Sequence, residues 1–515
     1  MNSQANTNPY QINIETVIGA SPMLGHRLEN RMEIRNQQQL DLLSEIDQAS
    51  RVNLADLPNA DTFVVAPLDI LVSRSNGKPQ FHIIELNGTG IGGVSNLPDS
   101  VVGAMVGSIQ QAVAAIGRDD GIVLLPVSGK ESDDDPRLNK LMHEKMVFAQ
   151  AMAQGLNEAC GDSQIVTLCG LQSGKQALTP GVPAVVIGYL KELTKACTIQ
   201  HGGQVTLNGR QVLGALNDRF CLNLFSEHPN IDLDQFQAIN GTYLAGGDKG
   251  VAYRLLDEHL LYAPSDNFPN RVHHDHATNA EELKSIVLDW IAQGRKPVIK
   301  PHGTGIGHGI EFFLNLNEPE SSVEQRIDDS IRLTDEYYGT TGGAFPYTIC
   351  EFVESDQIEQ PNHHFHGHKF EVRVAVYRDG SSLRACPAIA KVAPQAYDAN
   401  NPNRDNLINN ITNAAVTGKT DGTNFMLPLC NEETLSLLNI SKDELIELCR
   451  VCTEFVKHAI TEIPHQNHQM RAILKGQNAL RKSSLPTSLA SFPALERRRA
   501  FWGLPQVQKF PAMFR

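Results

Sequence analysis

The chain has 515 residues, of which 41% are hydrophobic and 20% charged, and its formal net charge is −14. The length predicts about three domains, and the composition is that of a globular protein able to bury a sizeable core. The acidic balance argues against nonspecific nucleic-acid binding, and the lack of any window of about 18 apolar residues argues against a membrane-spanning helix.

In chain order, the opening "MNSQANTNPYQINIET" has neither a basic n-region nor an apolar h-region, so no signal peptide is expected. Residues 33–50 predict an amphipathic helix. Two strands follow, "TFVVAPLDILVS" and "FHIIELN", joined by "RSNGKPQ", whose Asn76-Gly77 pair is a hairpin signal. A glycine-rich loop leads to a helix over "PDSVVGAMVGSIQQAVAAIG", where Pro98, Asp99 and Ser100 suit a helix start. Residues 121–235 alternate strands and helices: "GIVLLPVSG", a helix from Arg137 to Glu158, "QIVTLCG", "AVVIGYL" and a small hairpin "ACTIQHGGQVTLNGRQV". This reads as an α/β unit with a mostly parallel sheet.

Helices from Lys249 to Leu260 and from Ala280 to Gln293 precede the strand "KPVIKP", a second glycine-rich loop and "IEFFL". The strands "YTICEFV" and "FEVRVAVYRDGSSLRACPAIAKV" follow, the latter turning at "RDG", and the last clear helix covers 441–460. Beyond it, nine Lys/Arg between Arg471 and Arg515 face only Glu496, which predicts an irregular basic tail, packed on the acidic body or touching an anionic partner. Nine cysteines are scattered; the close pair Cys449 and Cys452 lies in a helical pattern, so buried thiols of a cytoplasmic protein are expected rather than a metal or redox pair. "HHDHATN" (His273, His274, His276) and "HHFHGHKF" (His363, His364, His366, His368) read as loop histidines, because neither spacing is that of a zinc site.

The five letters GTGIG occur twice, once after a strand ending in an acid and once after a strand ending in a lysine, which argues against a tandem repeat. In "VIKPHGTGIGHGI" Lys300 ends its strand, and Gly303, Gly305, Gly307 and Gly309, with Thr304 among them, permit positive φ and close backbone approach. Exposed N–H groups in such a loop can cradle phosphate oxygens, with Lys300 as the point charge beside them. The P-loop spelling GxxxxGK[ST] is absent and no helix signal follows, so the segment reads either as a hairpin lid over phosphates or as a glycine-rich β-turn beside a surface lysine. A dinucleotide site is not expected, since the loop opens no helix.

The neighbours of this loop narrow the choice. "GGDKGVAYRLLDEHL", "KPVIKPHGTGIGHG", "YTICEFVES", "KFEVRVAVYRDGSSLRACPAIAKV" and "NNITNAAVTG" follow one another in an order that resembles the ATP-grasp superfamily of ATP-dependent carboxylate ligases, over residues 236–460. The resemblance implies that Lys249 is the lysine that begins a helix and Lys300 the strand-end lysine before a mobile glycine loop. It implies that Glu351, Phe352, Val353 and Glu354 form the hinge that meets adenine and ribose. Arg373 matches the strand arginine of the glutathione synthetase-like branch, Lys391 a basic residue on the next strand, and Asn413 an asparagine near phosphates or metal. Members of the superfamily bind Mg²⁺ through an Asp and a Glu-x-Asn on two late strands, whereas this chain offers only "TEIPHQNHQMRAILKGQ" after the 441–460 helix.

The opening hairpin looks like the missing piece. Mg²⁺ takes a few hard oxygen ligands and keeps waters and substrate phosphates. Glu85 and Asn87, two apart on a strand, face one side, and Asp69 on the partner strand can face them. The stretch "PLDILVSRSNGKPQFHIIELNGTGIGGVSNLPDSVVGAM" resembles the metal-binding hairpin, loop and helix of D-alanine–D-alanine ligases, with an Asp-to-Glu spacing of 16. A half-buried hairpin with an accidental surface glutamate is the alternative. The resemblance implies a circularly permuted order, in which Asp69, Glu85 and Asn87 meet phosphates held by Lys300 from more than 200 residues away.

The expected fold class is therefore α/β with α+β lobes: an ATP-grasp fold with an α/β pre-ATP-grasp domain, its metal-binding hairpin supplied by the N-terminal segment. The expected division is 1–120 (hairpin and helix completing the C-lobe), 121–235 (pre-ATP-grasp), 236–355 (nucleotide-binding subdomain with lid), 356–465 (C-lobe) and 466–515 (tail). The expected function is an ATP-dependent carboxylate–amine ligase that forms an amide or peptide bond through an acyl phosphate, with ATP and Mg²⁺ as cofactors and Arg373 and Lys300 at the transferring phosphoryl. Its partners would be a small carboxylate and an amine, such as an amino acid or short peptide, with a homodimer allowed and neither nucleic acid nor membrane involved. An ATP-grasp small-molecule kinase or a non-catalytic nucleotide-binding regulatory protein is the alternative.

Overall fold

A computed structural model of the chain describes residues 37–55, 57, 63–87, 97–127, 139–167, 178–217, 220–221, 224, 228, 230–232, 234–240, 249–262, 270–302, 304, 307–338, 345–407 and 425–462. The described elements form three sheets.

The first sheet is antiparallel throughout and joins the N-terminal hairpin to strands from far along the sequence. Val65–Ser75 and Lys78–Leu86 meet across a turn in which Asn76 (φ 52°) and Gly77 (φ 78°) both take left-handed backbone, as a two-residue hairpin of this twist requires. The other edge of Val65–Ser75 pairs with His368–Asp379, which turns back into Ser382–Ala396. Val52–Asn53 and Met426–Pro428 extend the sheet along that last strand.

Alternate residues of these strands point to opposite faces. Leu68, Ile70 and Val72, with Phe370, Val372, Val374 and Val376, pack into a core shared with the helices Gln37–Ser50, Glu432–Leu438 and Lys442–Glu462. The other face changes character along its length. Val65, Ala375, Tyr377 and Cys386 join a core with the helices Asp99–Ile116 and Asn139–Cys160. Further along the same face, Asp69, Glu371, Arg373 and Lys391 line a cleft. Cys449 and Cys452 are wholly buried on Lys442–Glu462, and burial pushes both thiols up, so they are core residues as expected.

The second sheet spans residues 122–238. Gln164–Thr167, Ala184–Tyr189, Ile122–Val127 and Arg210–Ala215 run parallel, with Gln237–Ala238 parallel to the last. The mostly parallel α/β unit expected for 121–235 is thus present. The expected small hairpin is instead a three-stranded meander of Cys197–Ile199, Val205–Leu207 and Arg210–Ala215. Its second turn is Asn208-Gly209, both left-handed, a second Asn-Gly signal that the single-hairpin reading passed over. A seven-residue helix, Leu190–Ala196, is a further addition.

The third sheet orders His274–Ala277, Tyr347–Glu351, Pro297–Pro301 and Glu311–Phe312, all antiparallel. The helices Ala280–Ala292 and Glu320–Tyr338 share its core through Leu283, Val287, Trp290, Val323 and Ile327. One expectation fails here, and one helix comes in addition to the expected elements. The histidine run expected in a loop is the edge strand His274–Ala277, with His276 buried, because main-chain pairing to Tyr347–Glu351 decides the conformation of a polar segment. The helix Glu320–Tyr338 was not predicted, because its buried side alternates Val323 and Ile327 with Ser330 and Thr334, which breaks the apolar period. In the second histidine run, 361–367 are turn and bend, but His368 opens the strand His368–Asp379. Gly303, Gly305, Asn413 and the tail 466–515 lie outside the described residues.

Candidate functional site

A cavity of about 210 Å³ lies where the charged part of the first sheet faces the third sheet. Strand register alone builds its charged wall. Asp69 has Glu85 as its Cα partner on one side and Arg373 on the other, and Glu371 is partnered with Lys391. Arg373 donates from Nε to Asp69 Oδ1 at 2.6 Å and from Nη2 to Oδ2 at 2.7 Å. Lys391 Nζ lies 3.2 Å from Asp69 Oδ1 and also pairs with Glu371. Asn87 Nδ2 donates to Asp69 Oδ2 at 3.1 Å. Asp69 is only 4% exposed, Arg373 6% and Lys391 3%. Burial on its own raises the Asp69 carboxyl. The Arg373 and Lys391 charges and the hydrogen bonds from Arg373 and Asn87 outweigh it and hold the group well below the usual carboxylate range.

The second wall carries the two lysines. Lys249, two residues before the helix Val251–Tyr262, forms an ion pair with Glu85. Gly250 lets this helix start lie flat on the histidine strand, because a Cβ there would run into the His276 ring and the Thr348 hydroxyl. Lys300, at the end of Pro297–Pro301, donates to Tyr253 Oη at 2.8 Å and lies 3.4 Å from the Ile84 carbonyl oxygen. Among the described residues Lys300 has no carboxylate partner. Of the glycine loop, Thr304 and Gly307 line the cleft. Gly309 lies behind it at φ 69°, packed where a Cβ would collide with Thr334 and Pro301.

The remaining side of the cleft is apolar. Val298, Ile310, Phe312 and Cys350 form a slot closed by Glu351, Phe352 and Val353. Glu354 stands at its edge and accepts from Lys369 Nζ at 3.0 Å. The Lys369 side chain is 2% exposed; it also donates to the Ser355 carbonyl at 2.7 Å and lies 4.2 Å from the Tyr397 ring centroid. Burial lowers its pKa, against the pull of Glu354.

The structure thus gathers Asp69, Glu85, Asn87, Lys249, Lys300, Thr304, Gly307, Glu351, Phe352, Val353, Arg373 and Lys391 around one cavity. Glu354 reaches it through Lys369 and Gly309 supports it from behind. Sequence reading missed Lys369 and Glu371, although they alternate with Arg373 on one strand face, and Tyr253, although it follows Lys249 at helical spacing.

A divalent cation can be tested against this donor set. Among the described residues no group of three or more His, Cys, Asp or Glu is placed to hold a metal, the set that a zinc site uses. Mg²⁺ asks for less, one or two carboxylates plus substrate phosphates. Glu85 opposite an ionised Asp69, with Asn87 beside them, fits that requirement.

No protein-family model matches the chain, and no curated protein matches it in sequence. The solved structures similar to it include two synthetase-like proteins. One is a candidate gamma-glutamylcysteine synthetase from Methylobacillus flagellatus KT, 11% identical, covering 87% of this chain and 96% of that one with a TM-score of 0.38. The other is a glutathione synthetase-like effector from Globodera pallida in apo form, 12% identical, covering 76% and 86% with a TM-score of 0.33. Likeness this distant carries no functional argument.

Proposed function

We propose that the chain is an ATP-dependent carboxylate–amine ligase of ATP-grasp type, with a circularly permuted order. The observation that carries the proposal is the meeting of two remote segments: Lys249 pairs with Glu85, and Lys300 lies 3.4 Å from the carbonyl of Ile84, across 216 residues of chain. One cleft then offers an apolar slot for a base, two lysines for phosphates and acids for a divalent cation.

On this reading the base lies against Glu351–Val353, with Glu354 toward the ribose. Lys300 binds phosphate oxygens. Lys249 and Glu85 are paired with each other; with ligands bound, Lys249 would serve phosphate, and Glu85, Asp69 and Asn87 would be the residues that hold Mg²⁺. Bound there, Mg²⁺ would neutralise charge between the β- and γ-phosphates. The substrate carboxylate attacks the γ-phosphorus, ADP leaves, and the acyl phosphate is attacked at carbon by the amine, releasing phosphate. Arg373, its plane fixed by Asp69, stabilises the transferring phosphoryl, and the Gly303–Gly309 loop shields the acyl phosphate from water. Asn413 would join this set near the phosphates or metal. No protein nucleophile is needed, because positioning and charge neutralisation supply the catalysis.

We further propose that 1–120 and 356–465 together form the C-lobe, that 121–235 is the pre-ATP-grasp domain and that 236–355 is the nucleotide-binding subdomain. A cytoplasmic location is part of the same proposal; among the described residues no helix is long and apolar enough to cross a membrane. The test is ADP release from the full chain with ATP and Mg²⁺ across pairs of amino acids and small carboxylates, with mass spectrometry of the products. Phosphate release that requires an amine, with an amide product, is the expected result. A phosphorylated product without an amine requirement would make the protein a kinase. Nucleotide binding with no turnover for any pair would favour a regulatory role.

A further inference from the structure

Lys300 carries its ammonium on a flexible four-carbon stem with three rotatable donors, and nothing in its own strand fixes where that charge sits. Two side chains from other elements do. Tyr253, 1% exposed on the helix Val251–Tyr262, accepts from Lys300 Nζ at 2.8 Å. Cys350, on the strand paired with that of Lys300, has its Sγ 3.5 Å from the Tyr253 hydroxyl. Chemistry sets the direction of this relay. An ammonium has donors only, so the tyrosine oxygen must accept from it, and its one proton is left for the sulfur. Burial first, then the neighbouring Cys350 and Glu85, raise the tyrosine's pKa well above its usual value, so the phenol keeps that proton. The Ile84 carbonyl gives Nζ a second acceptor from the acid hairpin. Lys249 lies four residues before Tyr253, so a single helix start reaches both the acid hairpin and the lysine strand.

We propose that Tyr253 is the positioning residue of Lys300: its hydroxyl, held by Cys350, fixes the ammonium in the cleft before an anion arrives. The proposal takes the nature of that anion, a nucleotide triphosphate, from the ligase reading above; the contact itself does not depend on it.

The test uses the full chain with Tyr253→Phe, which removes one oxygen and keeps the ring, and it reads two quantities. The first is the rate at which acetic anhydride acetylates Lys300, followed by mass spectrometry; release of the ammonium should raise it about tenfold or more, as expected for loss of a hydrogen bond to a charged group. The second is calorimetric binding of a non-hydrolysable ATP analogue with Mg²⁺, which should weaken about tenfold with an unchanged thermal midpoint. Cys350→Ser retains an acceptor for the phenol and should keep the acetylation rate of the parent, whereas Cys350→Ala should raise it in the direction of Tyr253→Phe; because Cys350 also lines the slot, these two variants are read by acetylation alone. If Tyr253→Phe fails to fold, the two Cys350 variants make the acetylation comparison, and equal acetylation in both would overturn the positioning role. Unchanged acetylation and binding in Tyr253→Phe, beside weakened binding in Lys300→Ala, would overturn the positioning role and leave the nucleotide reading standing. Raised acetylation in a protein whose parent form binds no nucleotide would support the contact and sink the nucleotide reading instead.

Discussion

Leu68 and Asp69 are neighbours on one strand, yet they meet opposite worlds. Leu68 is wholly buried among Ile70, Val372, Val374 and the helix Lys442–Glu462. Asp69 is almost as buried, but among Arg373, Lys391 and Asn87. The apolar face is held by contact area, which is non-directional, so a smaller side chain loses stability in proportion to what it removes. The charged face is held by matched partners, so removing one leaves the others buried and uncompensated. The same strands therefore anchor the fold on one side and present rigidly placed charges on the other.

The sharpest break in this comparison is Lys300→Ala. Lys300 has no acid partner among the described residues, so its loss should abolish ATP turnover while shifting the thermal midpoint by no more than roughly 2 °C; undiminished ADP production would remove Lys300 from the phosphate site. Asp69→Asn should come next, losing about 3–5 kcal/mol in denaturant unfolding because Arg373 and Lys391 stay buried without their common partner. A loss below about 1 kcal/mol would mean that the charged face relaxes freely. Leu68→Ala should cost about 3 kcal/mol and leave turnover per folded molecule unchanged, so that the two faces separate cleanly into stability and chemistry. Glu85→Gln should change stability by less than about 1 kcal/mol, since its pair with Lys249 is partly exposed. Its expected effect is a raised Mg²⁺ requirement for turnover, and an unaltered Mg²⁺ dependence would take Glu85 out of the metal site.

The smallest effect at neutral pH belongs to His82, paired with Leu71 on the hairpin. Burial lowers its pKa from 6.5 to about 4, so the unfolded chain takes up the proton first as pH falls. Stability from this group is intact above pH 6.5, declines between 6.5 and 4, and levels off below. His82→Gln should flatten the pH dependence of the unfolding free energy in that window and hardly alter it at pH 7; an unchanged slope would show that His82 ionises freely in the folded protein.

Much of this arrangement was legible in the letters. "FEVRV" alternates apolar and polar residues, which marks the strand and the side of Arg373, "PLDILVS" is an apolar strand interrupted by Asp69, and Asn76-Gly77 fixes the hairpin register. What stayed hidden has physical causes. Glu320–Tyr338 buries hydroxyls where a helix is expected to bury carbons. His274–Ala277 is a strand because of its partner, and no local propensity announces that. Lys369 and Glu371 were overlooked because an ion pair made with a residue on another element has no signature in either segment alone. The meeting of the acid hairpin with the lysine strand was reachable only by asking which acids a lysine loop lacks.

The salt bridge between Asp69 and Arg373 spans 304 residues, and that separation bears on how the protein is made. At about 5–20 residues per second, the ribosome delivers Arg373 roughly fifteen seconds to a minute after Asp69. For that interval the hairpin has an edge with no neighbour strand to pair it, and its apolar face, Leu68, Ile70 and Val72, lacks much of its cover: the helix Gln37–Ser50 of that core is made, but the strand His368–Asp379 and the helix Lys442–Glu462 are not. Contacts of such long sequence separation form slowly even once the chain is complete. A nascent chain of this protein should therefore engage holding chaperones through its first hundred residues, and release from them should coincide with emergence of the arginine strand.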